Sequence, residues 1–430
     1  MDYFLSKSAV LKWLETPSVY NIKTDELYEL DKDSFEFLKK CQSLNGSGVR
    51  GQRSETQIKS NIPQQKTFDS FIDYCLKEGI LTTEKISVKR PPLTKSPVPS
   101  LRYLEMQITD RCNLRCKHCY IGNMERAKGT TPLSPPLLRG EVKGGELSAN
   151  QIKTILSEFE EMQGLRVMIT GGEPLLHSRF DEINEMLPDF FVRKILFTNG
   201  LLLSKKILVG LNVDEIQISI DGLENAHELL RGKGTFKKAI DAVKLSIDSG
   251  YEVSVSTMVH SKNLDDFDGM ERLFRGLGIK DWTVDVPCIT GELQRNAEFQ
   301  VTPEQAGKLL GYGYGEGLHA GERGFACGLH LMSVTADGRA AKCTFYSDKA
   351  VGLIDEGLRK CWKKIKPVKL DKLKCDCEYI EACRGGCRYR AENFGDALGK
   401  DLYRCALYDI IKTKADAHEA GLSLRKGVSQ

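Results

Sequence analysis

Fourteen of the 430 residues are cysteines, and ten of them fall into two groups. Cys112, Cys116 and Cys119 form one, spaced CxxxCxxC; Cys327, Cys343, Cys375, Cys377, Cys383, Cys387 and Cys405 form the other. Cys41, Cys75, Cys288 and Cys361 are scattered. The start of the chain, MDYFLSKSAVLKWLE, lacks an apolar run of signal-peptide length, so the protein is expected in the cytoplasm, where thiols stay reduced and metal ligation is the leading use of clustered cysteine. Three soft thiolates on one loop can hold three irons of a four-iron, four-sulfur cluster and leave the fourth iron open as a binding site. The same three also suit part of a zinc site, with His118 as a fourth ligand. Seven cysteines suit neither one tetrahedral zinc site nor two complete four-cysteine sites.

Elements must bring these residues together, and the length implies two to four domains. A composition 41% hydrophobic with net charge +3 gives a folded chain without a field for nucleic acid or an anionic membrane, and no apolar run approaches a membrane span. In the first ninety residues, SVYNIKTDELYEL alternates around a polar turn and predicts a β-hairpin. Asp33 and Glu36 suggest a capping box opening a helix through Leu38. Phe68, Phe71, Ile72, Cys75 and Leu76 share one helix face that Gly79 ends, with Cys75 and Cys41 assigned to the core. Residues 43–65 read as a loop or weak helix, and residues 89–99, with four prolines, as a stiff linker.

Six β-rich runs follow, at 101–109, 165–170, 194–198, 215–220, 252–259 and 281–286, alternating with amphipathic helices. One helix opens at Ser148 with Gln151 three residues on, and Ile152, Ile155, Leu156 and Phe159 on one face. This α/β pattern predicts a parallel sheet in a partial (β/α)6 barrel, with chemistry in the loops after the strands: DRCNLRCKHCY, GGEP, NG and DG. Residues 129–146 carry three prolines and four glycines and read as an exposed insertion, or else a flap over substrate.

The cysteine loop followed by Gly171, Gly172, Glu173 and Pro174 at the end of the next strand resembles the radical S-adenosylmethionine (AdoMet) superfamily. The resemblance implies that Cys112, Cys116 and Cys119 hold a cluster whose open iron chelates AdoMet. Gly171, Gly172 and Glu173 would line the methionine amine and Tyr120 the adenine. Ser219 and Asp221 would approach the ribose, with Asn199 and Arg231 further contacts of the same cofactor. It implies reductive cleavage of AdoMet to methionine and a 5′-deoxyadenosyl radical that takes hydrogen from carbon, with electrons from a flavodoxin- or ferredoxin-type donor.

The second cysteine set resembles the SPASM extension of these enzymes, with two auxiliary four-iron clusters. Carried across, Cys327, Cys343 and Cys387 would hold the first, and Cys375, Cys377, Cys383 and Cys405 the second; CDCEYIEACRGGC is one residue short between its first two cysteines. The first cluster then lacks one ligand, which Cys361, Cys288 or His330 could supply, or which a substrate cysteine could supply at an open iron. The N-terminal hairpin and helices resemble the PqqD-like element that binds leader peptides, against the alternative of a DNA-binding winged helix, for which no basic recognition helix is present. The resulting domains are 1–90 for recognition, 91–100 linker, 101–320 barrel, 321–415 SPASM and 416–430 tail. The expected function is a maturase that installs a thioether or carbon–carbon crosslink in a precursor peptide. The alternatives are a sulfatase-maturase-like enzyme, in which an Asp would stand at Thr344, a tetrapyrrole-modifying enzyme, or an iron–sulfur electron carrier.

Overall fold

A computed structural model describes residues 2–42, 49–50, 68–121, 145–315 and 322–410. The expected six strands form: β7 (Tyr103–Thr109), β8 (Arg166–Gly171), β9 (Arg193–Thr198), β10 (Glu215–Ser219), β11 (Glu252–Met258) and β12 (Asp281–Asp285). Every neighbouring pair among them is parallel, in sequence order. Alternation sets the two faces of β7. Leu104, Met106 and Ile108 join the main core under the helices, while Tyr103, Glu105, Gln107 and Thr109 face the other way. Each aliphatic residue so buried stabilises the fold by about 1.5–3 kcal/mol. Helix Ala149–Glu161 starts at a capping box in which Ser148 and Gln151 bond reciprocally, and it lays Ile152, Ile155, Leu156 and Phe159 on that core.

The sheet does not stop at six strands. β13 (Leu331–Val334) lies parallel against the outer edge of β7, and β14 (Arg339–Ala341) and β15 (Gly352–Leu353) continue it antiparallel. One nine-stranded sheet therefore joins the Cys112–Cys119 loop, after β7, to Cys327 and Cys343, which flank β13 and β14.

The N-terminal unit holds β2 (Ala9–Trp13), β3 (Pro17–Asn21) and β4 (Glu26–Glu29) in one antiparallel sheet, with the expected hairpin as β3–β4. β1 (Asp2–Leu5) pairs separately with β5 (Val49–Arg50) and β6 (Leu81–Thr82). Two helices cover them: α1 (Lys32–Gln42) and α2 (Phe68–Lys77). The cap of α1 differs from expectation: Asp31, not Asp33, accepts the Ser34 amide, at 2.8 Å, and the helix runs on to Gln42. Cys41 and Cys75 are buried in this unit's core as expected. The 43–65 reading falls outside the described residues except for β5, and of the 129–146 insertion only residues 145–146 are described.

Residues 83–102 contain no helix or strand, but they are not a free spacer. Lys95 bridges to Trp13, and the Thr94 hydroxyl donates to Glu161 O at 2.7 Å. The N-terminal unit is also pinned directly. Buried Lys12 donates to Gly164 O (2.6 Å) and Phe191 O (3.2 Å), in the turns entering β8 and β9. Asp25 pairs with Arg166 at 2.7 Å and Arg193 at 3.2 Å, the first residues of those two strands. It docks at the amino ends of the barrel strands, opposite the loops that carry the clustered cysteines.

Candidate active site

β7 ends at Thr109, and the chain turns at once into the Cys112–Cys119 loop, which lies over the carboxyl end of β8. The Gly172 amide donates to Thr109 O and that of Glu173 to Arg111 O, each at 2.8 Å. A Cβ on Gly172 would stand 2.4 Å from Arg111 O, so only glycine allows this approach. On its other side the loop rests on residues 291–292: Glu292 N donates to Cys119 O at 2.8 Å, and a Cβ on Gly291 would come within 2.3 Å of the same oxygen.

The three thiols are largely enclosed, and burial raises each of their pKa values, that of Cys119 to about 12. Arg231 opposes this at Cys116, its Nη1 standing 3.9 Å from Sγ. The same guanidinium pairs with Asp221 at 2.5 Å. Asp221 is fully buried; it also accepts the Met258 amide at 2.7 Å and faces His118 Nε2 at 3.8 Å. His118 thus turns to Asp221, not to the cysteines, and burial lowers its pKa to about 4. This departs from the expected fourth ligand of a zinc site, and among the described residues no three His, Cys, Asp or Glu side chains converge on a single ion. Asp221 and Arg231, both expected on the cofactor, stand beside the cysteine loop, where they bond each other, the Met258 amide and the Cys116 sulfur. Ser219 is half-buried at the carboxyl end of β10.

Glu173 is wholly buried and its pKa is raised to about 7 by burial. Its carboxylate accepts from the Thr198 hydroxyl at 2.8 Å, the Asn199 amide at 2.9 Å and the Leu175 amide at 3.3 Å, tying the ends of β8 and β9 together. The Asn199 side chain reaches on to Asn113 in the cysteine loop, at 2.7 Å. Tyr120 takes a hydrogen bond from Gln107 at 3.2 Å and meets Phe345 edge-on at 5.8 Å, joining the loop to the C-terminal region.

In that region the seven cysteines separate into two neighbourhoods. Cys327, Cys343 and Cys387 lie close enough for their charges to bear on one another, whereas Cys375, Cys383 and Cys405 do so elsewhere, with the Cys375 and Cys377 sulfurs 3.7 Å apart. The turn Arg384, Gly385, Gly386 makes the division possible, since all three have left-handed φ (53°, 76°, 68°) and send Cys383 and Cys387 to different sets. All fourteen cysteines are free thiols. Soft donors in threes and fours, with an arginine beside one of them and glycine-lined backbone over the loop, fit iron–sulfur clusters.

Sequence reasoning missed Glu105. It projects from β7 beside Cys343, and one of its oxygens accepts both the amide (3.0 Å) and the hydroxyl (2.5 Å) of Thr344. A carboxylate therefore stands at Thr344 although that residue is not itself acidic. An acidic residue between apolar neighbours on the first strand was the available signal.

Residues 106–274 match the Radical SAM superfamily model. AdoMet-dependent heme synthase of Oleidesulfovibrio alaskensis is 23% identical over 71% of this chain and 87% of its own length. Mycofactocin maturase MftC of Mycolicibacterium smegmatis is 26% identical over 66% and 77%. SuiB of Streptococcus suis, solved with its precursor peptide SuiA, superposes with TM-score 0.59 at 13% identity, covering 93% of this chain and 98% of that one. The family match begins inside β7 and ends in the helix after β11, on the strands and loops that hold Cys112, Cys116 and Cys119, so the chain carries a radical SAM domain.

Proposed function

We propose that the chain is a peptide maturase that uses AdoMet to crosslink a ribosomally made precursor through a thioether or carbon–carbon bond. The carrying observation is the N-terminal unit. Its outer strand β4 is a sheet edge, and the Leu30 amide bonded to Pro17 O at 2.9 Å fixes an alternation in which Leu27 turns its backbone away from β3. An extended leader can add there as a further strand, with affinity from main-chain bonds and choice from side-chain pockets. The fold likeness to SuiB spans nearly the whole chain, N-terminal unit included, and MftC supports the same reading by name.

Cys112, Cys116 and Cys119 would hold the cluster that binds AdoMet, with Gly171, Gly172, Glu173, Tyr120, Asn199, Ser219, Asp221 and Arg231 around the cofactor. Cys327, Cys343 and Cys387, and separately Cys375, Cys377, Cys383 and Cys405, would hold two auxiliary clusters. Bound there and reduced by a flavodoxin- or ferredoxin-type donor, the cofactor pair supplies a carbon-centred oxidant able to take hydrogen from an unactivated position. This chain's own part is to bind and orient. Arg231 places a cation at Cys116, Glu173 locks the strand ends under the loop, and Glu105 offers a carboxylate to a hydrogen-bond donor of the substrate. Tyr120 and Phe345 wall off water.

The heme synthase relatives favour a second reading, a tetrapyrrole as substrate. Co-expression with short open reading frames beside the gene separates the two. A precursor lighter by one hydrogen molecule supports the maturase, whereas unchanged peptides with a shifted tetrapyrrole absorption band support the second.

A further inference from the structure

Glu105 stands where the two cysteine groups approach each other. Its charge bears on Tyr120, the residue after Cys119, and on Cys343 of the C-terminal group. Both donors of Thr344, the amide at 3.0 Å and the hydroxyl at 2.5 Å, go to one oxygen, Oε2, which holds the carboxylate in a single orientation. The other oxygen takes no hydrogen bond among the described residues, and no described Lys, Arg or His pairs with it. The two lysines flanking Thr344 in sequence turn elsewhere: Lys342 and Lys349 each lie over the Tyr346 ring, 5.9 Å from its centroid.

The surroundings fit a cation carried on an alkyl stem. Ser333 on β13 is paired in register with Glu105, so the two side chains leave the sheet on one face. The Ser333 hydroxyl is fully buried and has no partner among the described residues. Gln107, two residues along β7 on the same face, gives its amide to Tyr120 at 3.2 Å and keeps its carbonyl oxygen. These are three acceptors on one face, the number of hydrogens an ammonium donates. Beside them the barrel interior is apolar: Tyr103, Met168, Ile195 and Leu331 cluster, with Phe197 packed against them. A carboxylate on such a floor is costly while unpaired and attracts a cation more strongly than it would in water. A neutral donor would leave its charge uncompensated, and a bare metal ion would leave the apolar surface uncovered.

We propose that Glu105, with Ser333 and Gln107, forms a specificity subsite for a lysine side chain of the precursor, its ammonium on Glu105 and its stem against the apolar cluster. The proposal rests on the maturase reading and narrows its substrate. Because the subsite lies between Tyr120 and Cys343, the lysine belongs to a residue beside the one that loses hydrogen, and its capture sets which residue of the precursor faces the cofactor.

The test uses the full chain, reconstituted anaerobically with AdoMet, and a pair of capped peptides: alanine–lysine–alanine and its norleucine counterpart, which keeps the stem without the charge. In ligand-observed NMR titrations, wild type should bind the lysine peptide about tenfold more tightly than the norleucine peptide. Glu105→Gln, which retains the shape and an acceptor for Thr344, should bind the two within about twofold, and Ser333→Ala should fall between. Norleucine bound as tightly as lysine by wild type would overturn the subsite without recourse to any variant, and so would a lysine preference that survives in Glu105→Gln. Co-expression with the short open reading frames beside the gene is read alongside. A lysine preference that Glu105→Gln abolishes, with those peptides left unmodified, would overturn the maturase reading and keep the cation site. Crosslinked peptide from an enzyme with no lysine preference would overturn the subsite and keep the maturase reading.

Discussion

Asp25→Asn isolates the charge that docks the N-terminal unit on the barrel. Asp25 sits at a left-handed φ of 66°, which asparagine also adopts, so the turn survives and only the charge is lost. Its carboxylate faces Arg166 and Arg193, all three buried. Removing one member of such a group costs about 3–5 kcal/mol. The lower end applies here, because Arg193 keeps Glu215 at 2.8 Å and a contact with Glu252. A loss of about 3 kcal/mol raises the opening equilibrium of this interface about 150-fold. Native-state hydrogen exchange reads that opening directly, in peptides covering β2 to β4, where protection should fall by about two orders of magnitude while the barrel strands are unaffected. A change below about threefold would mean that Lys12 and the residue 83–102 segment carry the docking, and the charge argument would be refuted.

Leu27→Pro, which removes an outward amide of β4, should weaken precursor binding by about tenfold or more in a fluorescence titration while uncoupled AdoMet cleavage persists. Glu105→Gln should lower crosslinking by about tenfold or more without changing 5′-deoxyadenosine formation in the absence of peptide; equal losses in both would place Glu105 in folding instead. His227 is buried with its pKa lowered to about 3, its Nδ1 accepting the Asp221 amide at 3.1 Å. The unfolded chain therefore takes up this proton first, and stability should fall by a few kcal/mol as pH drops from about 6.5 to about 3. His227→Phe should flatten that slope in urea unfolding followed against pH.

The six barrel strands were legible because each is a short β-branched run whose two faces are both covered, and the capping box at Ser148 needs only residues three apart. β13 to β15 were not, since strands of two to four residues carry too little pattern and owe their existence to the free edge of β7. β2 was obscured by Lys12, a charge that interrupts an apolar run and is buried only because distant carbonyls receive it. At the site, spacing singled out the cysteines that the fold brings together. It could not tell that Arg231 faces Cys116 while Cys288 reaches Cys387, because those contacts join segments more than ninety residues apart.

The most direct measurement of the central claim is mass spectrometry of the co-expressed precursor, paired with 5′-deoxyadenosine quantified in the same anaerobic reaction. The account predicts a peptide lighter by one hydrogen molecule per crosslink, a matching amount of 5′-deoxyadenosine, and neither product when Cys112, Cys116 and Cys119 are replaced by alanine. Crosslinked peptide that persists in that triple variant would contradict it.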